Sequence, residues 1–381
     1  MKDVYITGGS MTRFGKHAGV LAPELAQDAI LKALDDAGLE PKDIQAIYCA
    51  NVLGGMILGQ VIARDLGFDG IPLYNVENAC ASGATGVHLA RHAMLADQYE
   101  TVLVFGVEQL TQLGGGTIPL QRNDDKTELY AKAGMVLPVV YAMRATRFLH
   151  ERDATSSDLA AVAVKNRFNG TLNPFAQQRT ETTIEEVLAS RMIADPLTLL
   201  QCCPSQVDGA AAVVLSTKKP GSRSPVKVLA SAVVSGLRET PHDDILDAEI
   251  TARAARKAYE QAALSAADVD VVELHDAFTI AELLYYEALG LAKPGDAVPY
   301  LRSGATRLGG KTPVNPSGGL LAKGHPLGAT GIAQMVEIMW QLQGRAGARQ
   351  VDGARIGLTQ CTGGGIAGVD HAASSVHLLG V

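Results

Sequence analysis

The chain has 381 residues, 33 of them Lys or Arg and 40 Asp or Glu, for a net charge of −7. That balance argues against nucleic acid as the main partner and leaves room for a local basic patch facing a phosphorylated cofactor. Hydrophobic residues at 47%, aromatics at 5% and 40 glycines suit closely packed helices and strands in two or three domains.

The first residues, Met1 to Gly9, hold too short an apolar stretch for a signal peptide. A helix, a short turn and a buried strand are expected over Ala33–Ile44 and Ile44–Ala50. Cys80 follows the next buried strand and heads a small-residue helix expected from Ala81 to Met94. The region from Gln121 to Ala194 carries polar helical patterns with no counterpart later in the chain. It contains a helix from Tyr141 to Glu151 and another from Asp158 to Arg167. The second is capped by Ser156, Ser157 or Asp158 and ended by Asn173-Pro174. This region reads as an insertion, a lid over a site.

The apolar run Ala133–Met143 is too short to span a bilayer and contains Pro138, so no membrane segment is expected. Strands resume over Val207–Leu215, and Ser216 to Pro225 is a hydrophilic linker between halves. In the second half a strand over Val269–Leu274 ends at His275, at the C-terminal edge where α/β sites lie. The strand Arg355–Gln360 leads into Cys361 and the glycines Gly363, Gly364 and Gly365. Five cysteines, with Cys202 and Cys203 adjacent and the others scattered, form neither a disulfide framework nor a paired zinc signature. Cys202 and Cys203 read as buried packing residues. The ending Leu379-Gly380-Val381 is no peroxisomal address, so a reduced, cytoplasmic setting without a metal is expected.

One phrase occurs twice. Gly83-Ala84-Thr85-Gly86 follows Cys80, and Gly328-Ala329-Thr330-Gly331 follows His325, so superposing the copies sets the thiol on the imidazole. Ala33–Ile44 likewise aligns with Ala258–Val269, which indicates duplication of a whole α/β domain rather than a short solenoid period. Two half-sites then face each other, one supplying a nucleophile and the other its base. A thiol at a helix N-terminus beside an imidazole has its thiolate favoured and can attack a thioester or β-keto carbonyl. Cys361, beside glycines, can carry a proton to or from the carbon next to an acyl group, as carbon–carbon bond chemistry requires.

Four blocks in order carry a family resemblance: Asn78-Ala79-Cys80-Ala81-Ser82-Gly83, His275-Asp276-Ala277-Phe278, Asn315-Pro316-Ser317-Gly318-Gly319 with Gly324-His325-Pro326-Leu327-Gly328, and Cys361-Thr362-Gly363-Gly364-Gly365. With Val162–Arg167 and Asp208–Ala211, the chain resembles the thiolases, specifically those of the sterol-carrier-protein-2 type. The resemblance implies an α/β thiolase fold, two duplicated βαβαβαββ halves packed as an αβαβα five-layer sandwich with an inserted lid. The expected division is 1–120 with 195–220 for the nucleophile half, 121–194 for the lid and 221–381 for the second half.

It also implies roles for single residues. His325 activates Cys80 and helps form a first oxyanion hole. His275, where many thiolases have Asn, polarises the thioester oxygen through Nε2. The N–H groups of Cys80 and Gly363 make a second oxyanion hole, and Ser317, Gly318, Gly319 and Phe278 contact the acyl-CoA substrate. The expected reaction is cleavage of a 3-ketoacyl-CoA through acyl-Cys80, or the reverse Claisen condensation. Coenzyme A is co-substrate, no cofactor is tightly bound, and a homodimer is expected. Two alternatives share the fold, a β-ketoacyl synthase and a retro-aldolase or acyltransferase working with a small OB-fold, zinc-ribbon partner; a third is a non-enzymatic lipid-transfer protein. Cys361 and the Asn315–Gly328 block favour the thiolase over the synthase, and retention of both cysteines lowers the retro-aldolase reading.

Overall fold

The computed structural model describes residues 2–114, 128–129, 132–219, 224–237, 244–364 and 372–381. The first half alternates strand and helix: β1 (Tyr5–Met11), α1 (Ala22–Ala37), β2 (Ala46–Ala50), α2 (Leu58–Arg64), β3 (Leu73–Val76), α3 (Ser82–Leu95) and β4 (Thr101–Gln109). In α1, Leu25, Ala26, Ala29, Ile30, Ala33 and Leu34 form one buried stripe at helical spacing, and Gly38 in the left-handed conformation ends the helix. Strands β2 and β4 are apolar on both faces because helices cover both sides of the sheet.

The chain then leaves the sheet for α4 (Leu137–Glu151), α5 (Ser156–Thr171), α6 (Ile184–Ala189) and the short pair β5 (Met192–Ala194) and β6 (Leu197–Thr198). Residues 121–127 and 130–131 of the expected lid lie outside the described residues. Helix α5 begins earlier than its apolar pattern suggests. Thr155 is its N-cap, closed by a capping box with Asp158, so none of the three expected caps holds that place. The chain rejoins the sheet as β7 (Asp208–Ser216), which includes the first residue of the expected linker; 220–223 of that linker lie outside the described residues.

The second half comprises β8 (Val226–Ser235), α7 (Glu249–Ala262), β9 (Val271–Glu273), α8 (Thr279–Ala288), α9 (Ala297–Arg302), α10 (Gly319–Lys323), α11 (Leu327–Leu342), β10 (Ile356–Gly363) and β11 (Ala373–Gly380). The strand order is β3-β2-β4-β7-β1-β8-β11-β10-β9, so the halves mirror each other about the β1/β8 seam. Tyr5 and Ile6 pair with Lys227 and Val226 across that seam, which makes one continuous sheet of two domain sheets. The second half departs from the expected βαβαβαββ pattern at its third strand. There, Val314 makes only an isolated parallel bridge to Val272.

Helices α3 and α11 lie between the two parts of the sheet, with α1 packed outside one part and α7 outside the other. The repeated phrase explains their close crossing. A Cβ on Gly83 would sit 2.7 Å from the Gly328 carbonyl oxygen, and one on Gly331 would sit 2.6 Å from the Ala84 nitrogen. Each glycine admits the backbone of the other helix. The two helices therefore meet near their N-termini, where Cys80 and His325 stand.

A buried polar network docks α5 on the second half. Lys165 Nζ pairs with Glu282 (2.9 Å) and donates to the Val314 carbonyl (2.7 Å). Asn166 Nδ2 donates to Asp276 Oδ2 (2.7 Å) and Glu282 Oε2 (2.8 Å), and Asn315 Nδ2 also donates to Glu282 (3.0 Å). Every member has a partner, as a buried charged group requires.

Candidate active site

Cys80 sits in the turn before α3, and the preceding Ala79 has φ of 47°, a left-handed conformation uncommon for a residue with a Cβ. The turn is held by Ser82, whose Oγ accepts from the Asn78 N–H (2.8 Å) and donates to the Ala79 carbonyl (2.5 Å). On the other side, His325 follows α10 and precedes Pro326, the N-cap of α11. Glu108 at the end of β4 fixes that helix start: it accepts from the N–H groups of Gly328 (3.1 Å), Val52 (3.0 Å) and Leu53 (3.0 Å). A carboxylate from the first half thus anchors the imidazole-bearing turn of the second.

The Cys80 sulfur and the nearest nitrogens of His275 and His325 all lie within 4.8 Å of one another. Cys361 joins them: its S–H donates to the Cys80 carbonyl oxygen (3.1 Å). Cys361 lies inside β10, two residues before its end, rather than just beyond it as the sequence suggests.

The hydrogen-bond donors around the two imidazoles fix their tautomers. Thr330 Oγ1 gives its one proton to the Pro326 carbonyl (2.9 Å), so its contact with His325 Nδ1 (2.8 Å) requires the proton on Nδ1. His325 Nε2 is then a bare lone pair facing the site. Its contact with His275 Nε2 (3.3 Å) requires the proton on His275 Nε2, and His275 Nδ1 accepts from Thr362 Oγ1 (3.2 Å). Thr362 in turn accepts from Tyr285 (3.1 Å), which accepts from Tyr141 of α4 (3.4 Å). The site therefore presents one acceptor nitrogen and one donor nitrogen side by side.

Burial holds both imidazoles neutral: His275 is pushed down to about 4, and His325 is well below its ordinary value, with the neighbouring His275 adding to the effect. Burial pushes the Cys80 thiol up to about 12, against a backbone N–H from Gly364 that favours the thiolate. Burial and the nearby Cys80 also push the Cys361 thiol well above its ordinary value. The expected thiolate stabilisation by the helix N-terminus is thus outweighed. The resting pair is a neutral thiol beside a neutral base.

Cys80, His275 and His325 open onto a cavity of about 450 Å³, within the usual range for a small-molecule site. Its walls come from α4 (Leu137, Pro138, Tyr141), the segment Arg191–Ser205 and Phe278, whose ring stacks on Tyr141 at 4.4 Å. Cys202 and Cys203 are part of this wall rather than buried packing residues. Cys203 N–H donates to the Ala277 carbonyl (2.8 Å), which turns the pair toward the cavity.

Two expectations shift. Gly363 does not line the cavity; a Cβ there would lie 2.2 Å from the Asn78 carbonyl, so it packs behind the nucleophile turn. The N–H that reaches the Cys80 sulfur is that of Gly364, one residue later, and Gly365 lies outside the described residues. Ser317, Gly318 and Gly319 are buried and are not cavity residues. Ser317 Oγ donates to Glu273 (2.6 Å) and accepts from Lys323 (3.0 Å), and Gly319, at φ 58°, leaves room for the Asp276 carboxylate. Their work is to support the loop, because a side chain tied to a buried ion pair has no face left for substrate. Sequence reasoning missed Glu108, Thr330, Thr362 and Tyr285. Of these, Thr330 lies inside the repeated phrase and Thr362 inside the block that carries Cys361, while Glu108 and Tyr285 carried no signal.

Among the described residues no helix is long and apolar enough to cross a membrane. The family model described as "Thiolase, N-terminal domain" matches residues 4–219, and "Thiolase C-terminal domain-like" matches 233–376. The chain is 42% identical to an acetyl-CoA acetyltransferase of Methanothermobacter thermautotrophicus, over 96% of this chain and 97% of that protein. It is 41% identical to the benzoylsuccinyl-CoA thiolase subunit BbsB of Thauera aromatica, over 96% and 95%. Human sterol carrier protein 2 is 37% identical over 94% of this chain and 69% of its own length. Among solved structures, an Ltp2-ChsH2(DUF35) aldolase superposes with a TM-score of 0.84 at 26% identity, over 100% of this chain and 98% of that one. With both family domains matched in order and the repeated halves meeting at Cys80 and His325, the chain belongs to the thiolase family.

Proposed function

We propose that the protein is a coenzyme A-dependent acyltransferase that cleaves a 3-ketoacyl-CoA, or forms one by Claisen condensation, through an acyl group on Cys80. The observation that carries this reading is the pairing of the Cys80 thiol with the bare Nε2 of His325 and the protonated Nε2 of His275, with Cys361 alongside.

In the cleavage direction, the Cys80 proton passes to His325 Nε2 and the sulfur attacks the 3-keto carbon. The bond between the keto carbon and the α-carbon breaks, and its electrons pass to the acetyl-CoA fragment as an enolate. His275 Nε2–H and the newly protonated His325 face the same space and hydrogen-bond the enolate oxygen, while Cys361 gives its proton to the α-carbon. Acetyl-CoA leaves. The Cys361 thiolate then takes the proton of coenzyme A, whose sulfur attacks the acyl carbon. Cys80 departs and recovers its proton from His325. The backbone N–H groups of Cys80 and Gly364 are the donors best placed for the acyl oxyanion.

Coenzyme A as the co-substrate, a cytoplasmic setting and the division into two halves with a lid at 121–194 belong to the same reading. So does a homodimer, in which the exposed edge strand β3, bearing exposed Tyr74, pairs with its copy.

CoA-dependent loss of acetoacetyl-CoA with formation of acetyl-CoA, showing parallel-line ping-pong kinetics, tests the proposal. Intersecting lines with no acylated enzyme would contradict it. A second reading is favoured by one observation, the superposition on the aldolase whose name includes a ChsH2(DUF35) component. Under that reading the isolated chain is inactive on acetoacetyl-CoA and gains activity on adding an OB-fold, zinc-ribbon protein.

A further inference from the structure

The cavity wall carries two cations and, among the described residues, no carboxylate. Arg167 on α5 is half-buried, and burial works against its charge. Its one side-chain partner among the described residues is neutral: the guanidinium donates from one terminal nitrogen, Nη1, to Gln178 Oε1 (3.0 Å). Gln178 is itself held by its backbone N–H on the Ala322 carbonyl (2.9 Å), in α10 three residues before His325. This contact sets the guanidinium plane and leaves its Nε and Nη2 edge without a protein partner among the described residues. That edge presents the parallel N–H fork that grips a carboxylate or phosphate in two hydrogen bonds. Arg191, exposed where the chain enters the wall segment, also has no side-chain acceptor among the described residues. Two buried lysines near the lid differ. Lys165 faces Glu282 and Lys323 faces Glu273, each paired within the protein.

Removing a guanidinium from water without a counter-charge is costly, so a partner for Arg167 is expected from outside the chain. The remaining wall near it is apolar, with Leu321, Leu327 and Phe278. Such a wall directs an anion to the half-buried Arg167. We propose that Arg167, assisted by Arg191, forms an anion-binding subsite of the substrate cavity that holds a paired-oxygen anion of the acyl-CoA, either a carboxylate on the acyl chain or a phosphate of the carrier. The proposal rests on the acyl-CoA reading of the same site.

The test measures binding in the full chain carrying Cys80→Ala, so that no acyl transfer intervenes, by NMR titration with three probes. Acetyl-CoA has phosphates but no acyl carboxylate, succinyl-CoA has both, and acetylpantetheine has neither. Arg167→Gln should weaken succinyl-CoA at least about tenfold and leave acetylpantetheine within about twofold, as expected for loss of a bidentate charged pair. An equal loss for acetyl-CoA assigns the subsite to a phosphate, and a loss confined to succinyl-CoA assigns it to an acyl carboxylate. Arg167→Lys should recover part of the loss, because it keeps the charge but not the fork. The inference is overturned if no probe weakens, or if acetylpantetheine weakens as much as the charged probes. Because binding is read without Cys80, failure of the acyl-enzyme reading leaves this result standing on its own.

Discussion

In the first half, the Gly-Ala-Thr-Gly helix is entered from a turn with a left-handed Ala79, and its threonine, Thr85, accepts from Asn78 Nδ2 (3.1 Å) two residues before the thiol. In the second half the same helix is entered through Pro326, and the matching threonine, Thr330, accepts from the imidazole of His325 itself (2.8 Å). The scaffold is the same, yet the hydroxyl steadies a turn in one copy and sets a proton in the other. Duplication explains the meeting of the two residues: glycines that let one helix approach its copy bring both helix starts to one point. The division of labour arises afterwards, from what precedes each helix.

The largest expected effect breaks the comparison outright. Replacing His325 with Ala should abolish acylation of Cys80 by acetyl-CoA, a loss of about 10³-fold or more. Replacing Cys361 with Ala should slow acylation far less, because coenzyme A can leave as a thiolate without the Cys361 proton, and should stop cleavage of acetoacetyl-CoA. Rapid-quench measurement of the acyl-enzyme separates the two steps, and equal loss of acylation in both variants would show that the roles are wrongly divided.

A second experiment sharpens the comparison by changing the same threonine in each copy. Thr330→Val removes the acceptor that keeps the His325 proton on Nδ1, and acylation should slow by about 10²-fold. Thr85→Val removes a hydrogen bond within the turn, so it should lower stability by about 1 kcal/mol and change the rate less than about threefold. Comparable rates for the two variants would remove the tautomer argument.

Cys80 and His325 are expected to be a neutral pair at rest, which alkylation kinetics can examine. Because burial pushes the thiol up to about 12, its reaction with iodoacetamide should climb about tenfold per pH unit from about pH 7 to 10 without a plateau. A plateau beginning near neutrality would mean a resident thiolate–imidazolium pair.

A smaller effect concerns stability in acid. His275, pushed down to about 4, and His377, pushed down to about 3, are buried neutral, as is His325. Each binds a proton more readily in the unfolded chain, so the unfolded state is favoured as pH falls from about 6.5, by at most about 1.4 kcal/mol per pH unit for each histidine. Thermal unfolding should show Tm falling steadily from pH 6.5 towards 4, and His377→Phe should flatten part of that slope. A Tm insensitive to pH in this window would contradict neutral burial.

The convergence of Cys80, His275, His325 and Cys361 was legible because duplication and four short blocks leave marks in the order of residues. The alternating elements were legible too, since buried strands and amphipathic helices have distinct periods. What surrounds the site was not. Thr362, Tyr285 and Glu108 act through contacts between segments far apart in the chain, and a threonine in a strand gives no sign that it faces an imidazole. Cys202 and Cys203 read as buried packing residues, yet a cavity wall takes the same residue types as a core. Ser317–Gly319 are expected at the substrate only because the resemblance implies it. Here they serve the buried pair Glu273–Lys323 and the carboxylate of Asp276. The loss of a third strand in the second half has a visible cause. Val314 stands between Pro313 and Pro316, which cannot donate to a ladder, and keeps only one bridge to Val272.

The most direct measurement is intact mass after brief incubation with acetyl-CoA, followed by peptide mapping, with Cys80→Ala as control. The account predicts a single acetyl adduct on Cys80 that disappears on adding free coenzyme A and is absent from the control. An adduct on Cys361, Cys202 or Cys203 with Cys80 unmodified, or no adduct while Cys80 is still open to alkylation, would contradict it.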